Sequence, residues 1–91
     1  MPLDPSAVAE RLAGSPWTVA GDAIVRDIQV PDFLAAIALV NRVAQIAEEL
    51  DHHPDILVHE WNHVRLTLST HSAGGITELD LGLAERLDAL A

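Results

Sequence analysis

The sequence predicts an α+β fold in the element order α-β-β-α-β-β-α, a four-stranded antiparallel sheet with its helices packed on one face. Three observations lead there. A long segment from Phe33 to Leu50 carries apolar residues at helical spacing; two pairs of short strand-like runs flank it; and each pair is broken by a turn signal, Gly21-Asp22 in the first and Asn62-His63 in the second.

Each element has a local reason. Asp4 can cap a first helix with Pro5 at its first position, Leu3 and Val8 can form a hydrophobic staple, and Gly14 with Ser15-Pro16 stops it. Residues 17–20 and 23–30 read as two strands around a type II′ turn at Gly21-Asp22, with Ile24, Ile28 and Val30 on one face and Arg26 sharing their parity. Asp32 is a good N-cap for the central helix, whose predicted stripe is Phe33, Ala36, Ile37, Val40, Val43, Ala44, Ala47 and Leu50. Pro54 disfavours helix at His53, so the helix should end near the histidine pair.

Residues 56–61 and 64–70 then form the second hairpin, with Val64, Leu66 and Leu68 facing the core. With Asn62-His63 as a two-residue turn, Glu60 pairs with Arg65, His59 pairs with Leu66 and points inward unless a bulge turns it out, and His71 falls opposite Pro54. Ser72-Ala73-Gly74-Gly75 reads as a flexible connection, and Thr77 can cap a last helix carrying Leu79, Leu83, Leu87 and Leu90.

Composition narrows the function. Ninety-one residues are expected to form one domain, 1–91, and its five Lys and Arg against fourteen Asp and Glu give a formal net charge of −9, which repels phosphate backbones and anionic lipid. Nucleic-acid binding is therefore not expected. No basic and apolar leader precedes the first helix and no apolar run approaches a membrane span, so a soluble cytoplasmic protein without membrane contact is the expectation. With no Cys, acid–base chemistry must come from His, Asp and Glu.

The chemistry-bearing residues cluster at one predicted place. The hairpin register brings His52, His53 and His71 together, and neighbouring imidazoles can divide proton donation and removal. Glu48 precedes His52, and Glu49 precedes His53, by one helical turn, so each histidine has a carboxylate in reach. Taken alone, His52-His53-Pro54 is only a polar helix end in solvent and His71 a loop residue. Thr77-x-x-Asp80 fits a capping box, a structural role compatible with a functional one, and Thr70 reads as a strand residue. His59 and His63 are weaker candidates. A metal is not expected, because adjacent His52 and His53 side chains diverge, and no phosphate loop or serine nucleophile pattern is present.

The run Glu48-x-x-x-His52-His53-Pro54, then Trp61-Asn62-x-Val64-x-Leu66-x-Leu68-x-Thr70-His71, then Gly75-Ile76-Thr77-x-x-Asp80, resembles the signature of the pterin-4a-carbinolamine dehydratase family. The likeness is dense over residues 48–80 and looser through the Phe33 helix and Trp17. It implies the same α+β fold, association as homodimers or homotetramers, and dehydration of 4a-hydroxytetrahydropterin to quinonoid dihydropterin in tetrahydropterin recycling, with no metal or organic cofactor. By the same resemblance the catalytic residues are His52, His53, His71 and Asp80: His52 and His71 as the acid–base pair, His53 orienting the pterin, Asp80 supporting them. Glu48, Asp51, Pro54 and Thr70 are the expected substrate-binding neighbours. Two features depart from the animal members. The segment from Pro54 to Trp61 reads one residue longer, and Ala73 and Leu79 stand where those members tend to carry a thiol and an arginine. The competing functions are a dimerisation or assembly protein, or a pterin-binding protein without turnover; retention of the three histidines and Asp80 favours the enzyme.

Overall fold

A computed structural model describes residues 1–90 of the chain. Its elements are α1 (Pro5–Arg11), β1 (Thr18–Ala20), β2 (Ala23–Gln29), α2 (Phe33–Leu50), β3 (Asp55–His59), β4 (His63–Leu68) and α3 (Glu78–Asp88), with a short 3-10 turn at His71–Ala73 between β4 and α3. The predicted order α-β-β-α-β-β-α is the observed one. The strands form a single antiparallel sheet in the spatial order β1-β2-β4-β3, so α2 carries the chain from one hairpin to the other and β2 meets β4 in the middle.

Local chemistry sets the ends of the elements. Asp4 accepts from the Ser6 N–H and Pro5 opens α1, while Asp32 accepts from the Ala35 N–H at 2.7 Å to open α2. Ala20 pairs with Ala23, leaving Gly21-Asp22 as a two-residue loop, and Gly21 has the φ of 62° that a type II′ turn requires at its first central position. Gly75 lies so close to the N-terminal segment that a Cβ there would stand 2.9 Å from the Pro2 Cβ, and the Leu3 N–H donates to the Ile76 carbonyl beside it.

One sheet face is covered. Ile24, Val64, Leu66 and Leu68 point into a core completed by Val8 of α1, Trp17, Ala36, Leu39 and Val43 of α2, and Leu83 and Leu87 of α3. Arg26 shares this face, and its charge is met there: Nη1 donates to Asp88 Oδ1 at 2.8 Å, and the same oxygen accepts from Trp17 Nε1 at 2.7 Å. An interrupted apolar pattern is thus closed by one carboxylate at the end of α3.

The structure corrects several local expectations. The α2 stripe is rotated: Leu39 is buried and Ile46 partly so, while Phe33, Ile37, Ala44 and Leu50 lie toward solvent. Leu79 is exposed, and the last helix packs through Leu83, Ala84 and Leu87. Residues 71–73 form a 3-10 turn where a flexible connection was expected, closed by Gly74 at φ 75°.

The largest correction concerns the second hairpin. The turn is Glu60-Trp61-Asn62, with Glu60 and Trp61 both in the left-handed region, and His59 pairs with His63. The strands run 55–59 and 63–68, shorter than the expected 56–61 and 64–70. Arg65 therefore faces Leu57, not Glu60, and Ile56, not His59, opposes Leu66. His59 is turned to the outer face by this shift of register, without a bulge. A two-residue primed turn is favoured by Asn-Gly, whose glycine takes positive φ freely; His63 gives no such preference, and the longer turn places Ile56 and Val58 on the core face instead.

Candidate active site

The helix α2 ends because Asp51 adopts the left-handed conformation, φ 50°, and its N–H returns to the carbonyls of Ala47 and Glu48. That reversal takes His52 and His53 off the helical repeat. Glu48 consequently meets His53, whose Nε2 lies 2.5 Å from its Oε2. Glu49 is engaged elsewhere, accepting from Arg86 Nη2 of α3 at 2.9 Å. The expected pairings of Glu48 with His52 and of Glu49 with His53 are replaced, since one-turn spacing holds only while the chain is helical.

His52 instead meets α3. Its Nε2 lies 2.5 Å from Oδ1 of Asp80, a fully buried carboxylate. The other carboxylate oxygen, Oδ2, accepts from Thr70 Oγ1 and from the Thr77 N–H, both at 2.9 Å. Because the Thr70 hydroxyl proton is committed to Asp80, the 2.7 Å contact between Thr70 and Thr77 hydroxyls is donated by Thr77, whose oxygen accepts in turn from the Leu79 N–H. Asp80 completes the capping box of α3 with Oδ2 and holds His52 with Oδ1. One side chain thus both closes the cap of α3 and holds His52.

The assembly brings the end of α2 to the end of β4 through α3. His71 follows Thr70 directly and begins the 3-10 turn, with its side chain exposed. The register that was to place His71 opposite Pro54 does not occur; continued one residue, the observed pairing sets Pro54 across from Leu68. The link from His71 to His52 runs through Thr70 and Asp80. Beside it opens a largely apolar cavity of about 510 Å³, lined by Thr70, Thr77, Glu78, Ala73, Leu79 and the N-terminal residues Met1 and Leu3. Ala73 and Leu79, the two replacements relative to the animal pattern, are both in its wall.

An imidazole held through Nε2 by an accepting carboxylate carries its neutral-state proton on that nitrogen, leaving Nδ1 free to accept another. His52 is therefore oriented and its tautomer selected, as proton transfer requires. A second polar group was missed by sequence reasoning. On the outer face, Asp27 Oδ2 lies 2.6 Å from His59 Nε2, Asp27 Oδ1 lies 2.9 Å from His63 Nδ1, and Arg65 Nε donates to Oδ2 at 3.2 Å. Only the pairing of β2 with β4 and the register of β3 on β4 reveal it, because they bring Asp27, His63 and His59 onto one face.

Fold and site together define a small α+β protein with a carboxylate-held histidine at the junction of a helix end and a sheet end. The chain belongs to the pterin 4 alpha carbinolamine dehydratase family, whose sequence model matches residues 1–90. It is 51% identical over 90 residues to a protein of Nocardia farcinica, covering 98% of this chain and 94% of the relative, and 50% identical over 90 residues to one of Thermomicrobium roseum, covering 98% and 96%. Both are provisionally named pterin-4-alpha-carbinolamine dehydratase. Among solved structures it is similar to a transcriptional coactivator/pterin dehydratase from Brucella melitensis, with a TM-score of 0.88 and 38% identity, covering 100% of this chain and 99% of that one. The fold is shared with a pterin dehydratase-like protein identified as a RuBisCO assembly factor in the alpha-carboxysome, at a TM-score of 0.65 and 24% identity over 82% of this chain and 86% of that one.

Proposed function

We propose that this chain dehydrates 4a-hydroxytetrahydropterin to quinonoid dihydropterin and water, in recycling of a tetrahydropterin. The observation that carries the reading is the contact between His52 and buried Asp80, in a chain of the dehydratase family. The reaction asks for a proton delivered to the departing C4a hydroxyl and one removed from N5, leaving the pterin neutral overall. His52 and His71 take these two tasks, with His52 held through Nε2 by Asp80 and its Nδ1 left to accept a proton. His53, steadied by Glu48, orients the pterin, and Asp51, Pro54 and Thr70 complete its surroundings. The apolar cavity beside Thr70 is of a size to receive a flat bicyclic ring; its wall holds none of the three histidines and is joined to His52 through Thr70 and Asp80.

The protein works in this reading as a homodimer or homotetramer in the cytoplasm. Exposed Phe33, Leu34 and Ile37 on α2, together with the open edge of β3, support self-association. No described helix is long and apolar enough to cross a membrane.

The test is turnover of 4a-hydroxytetrahydropterin generated in situ, comparing wild type with His52→Ala and His71→Ala. Each substitution should lower the rate by about 10²–10⁴-fold, the usual span for an acid–base group. Wild-type turnover no faster than background would reject the enzyme and leave a binding or assembly protein. A loss below about tenfold in either variant would reject that histidine's role while keeping the reaction.

A further inference from the structure

Three adjacent strands each place one metal-ligating side chain on the sheet face that the helices leave open. Asp27 projects from β2, His63 from β4 and His59 from β3, where His59 and His63 are direct cross-strand partners. Their donor atoms, one per residue, all lie within 4.8 Å of one another. The two imidazole rings are 5.0 Å apart between centroids and tilted by 33°, so they converge on the carboxylate from two sides without stacking flat. We infer that Asp27, His59 and His63 form a binding site for a divalent transition-metal ion of the zinc class, separate from the His52–Asp80 assembly.

Two neutral imidazole nitrogens and one carboxylate oxygen form a donor set suited to zinc, nickel or cobalt and poorly suited to calcium or magnesium, which take oxygen. Bonds of about 2.0–2.2 Å put donors roughly 3–3.5 Å apart around such an ion. His63 meets Asp27 Oδ1 at 2.9 Å and His59 meets Oδ2 at 2.6 Å, so binding through Oδ1 asks the His63 contact to open slightly and the widest separation, at most 4.8 Å, to close by about 1.3–1.8 Å through side-chain rotation. The strands themselves need not move.

The surroundings supply outer partners. His63 binds through Nδ1 and has Nε2 3.7 Å from Glu60, within reach of charge attraction, so that a small closure would give the hydrogen bond by which a carboxylate steadies a ligating histidine. Arg65 donates to Asp27 Oδ2, which seats the ion toward Oδ1 and fixes the plane of the carboxylate. All three ligands are at least partly open to solvent, so water completes the coordination and the ion can enter. A net charge of −9 raises the local concentration of cations. An ion here would tie the tip of the β3–β4 hairpin, at His59 and His63, to β2 at Asp27.

Protein stripped with a chelator and titrated with zinc chloride in a calorimeter should take up one ion per chain. His59→Gln, His63→Gln and Asp27→Asn should each weaken binding by at least about tenfold, as loss of a ligand requires. Histidine ring spectra of the unsubstituted protein provide a second readout: one equivalent of zinc should move the His59 and His63 signals and leave those of His52, His53 and His71 in place. No uptake, unchanged affinity in the three variants, or ring shifts confined to the other three histidines would each overturn the site.

Discussion

His52 and Asp80 stand 28 positions apart in sequence and meet at 2.5 Å, Nε2 to Oδ1, on a carboxylate with no exposure to solvent. The same carboxylate caps α3 and receives the Thr70 hydroxyl. The histidine is thus oriented by a buried group that also caps α3, which couples the integrity of that helix to the placement of His52.

Asp80→Ala should therefore lower both stability and turnover. It strands the buried Thr70 hydroxyl and the Thr77 N–H, and an unsatisfied buried donor costs about 1–3 kcal/mol. Asp80→Asn can still accept through one oxygen, so it should retain more stability than Asp80→Ala while losing control of the His52 tautomer. Urea unfolding and turnover, measured on both variants, check this; equal stability of Asp80→Ala and wild type would remove the coupling.

Leu79 and Ala73 line the cavity without contributing to the core. Leu79→Ala should leave unfolding free energy within about 0.5 kcal/mol of wild type, as for other exposed positions. If the cavity receives the pterin, the same change should raise KM with kcat retained, the pattern of lost uniform binding. A fall in kcat at constant KM would move Leu79 from binding to the chemical step.

Leu66, fully buried between Arg26 and Ile56 in the sheet, should cost about 2–5 kcal/mol on truncation to Ala. Leu57, on the opposite face and half exposed, should cost less than about 0.5 kcal/mol. Chemical denaturation of the two variants compares the covered and open faces directly, and similar losses would mean that something covers the outer one.

Asp27 makes stability depend on acid. Its burial pushes the carboxyl pKa up, but hydrogen bonds from His63 and His59, the His59 charge and the Arg65 bond outweigh that and hold it below the usual 3.8. A depressed native pKa means that the contribution is complete above the unfolded value and is lost as pH falls through the native one. His59 from β3, His63 and Arg65 from β4 and Glu60 beside His63 are the charged groups facing this cluster. Unfolding measured between roughly pH 5 and pH 2 should show a shallower acid loss in Asp27→Asn than in wild type. Matching slopes would show that the ion-paired cluster does not form in solution.

Much of this protein was legible in its residues alone, because capping, turn chemistry and periodicity act over a few neighbours. Asp4, Asp32 and Thr77 mark the three helix starts, Gly21 marks the first hairpin, and parity places Leu66 and Leu68 inward. The signature around His52, His53, Thr70, His71 and Asp80 identifies the family that full-length comparison supports. What only the tertiary structure decided was partnership. Glu60 and Trp61 entering the left-handed region moved the β3 register and sent His59 outward, and the left-handed Asp51 gave Glu48 to His53 and His52 to Asp80. Those outcomes depend on which distant groups share one small volume, and a single backbone reversal can exchange one partner for another at little local cost.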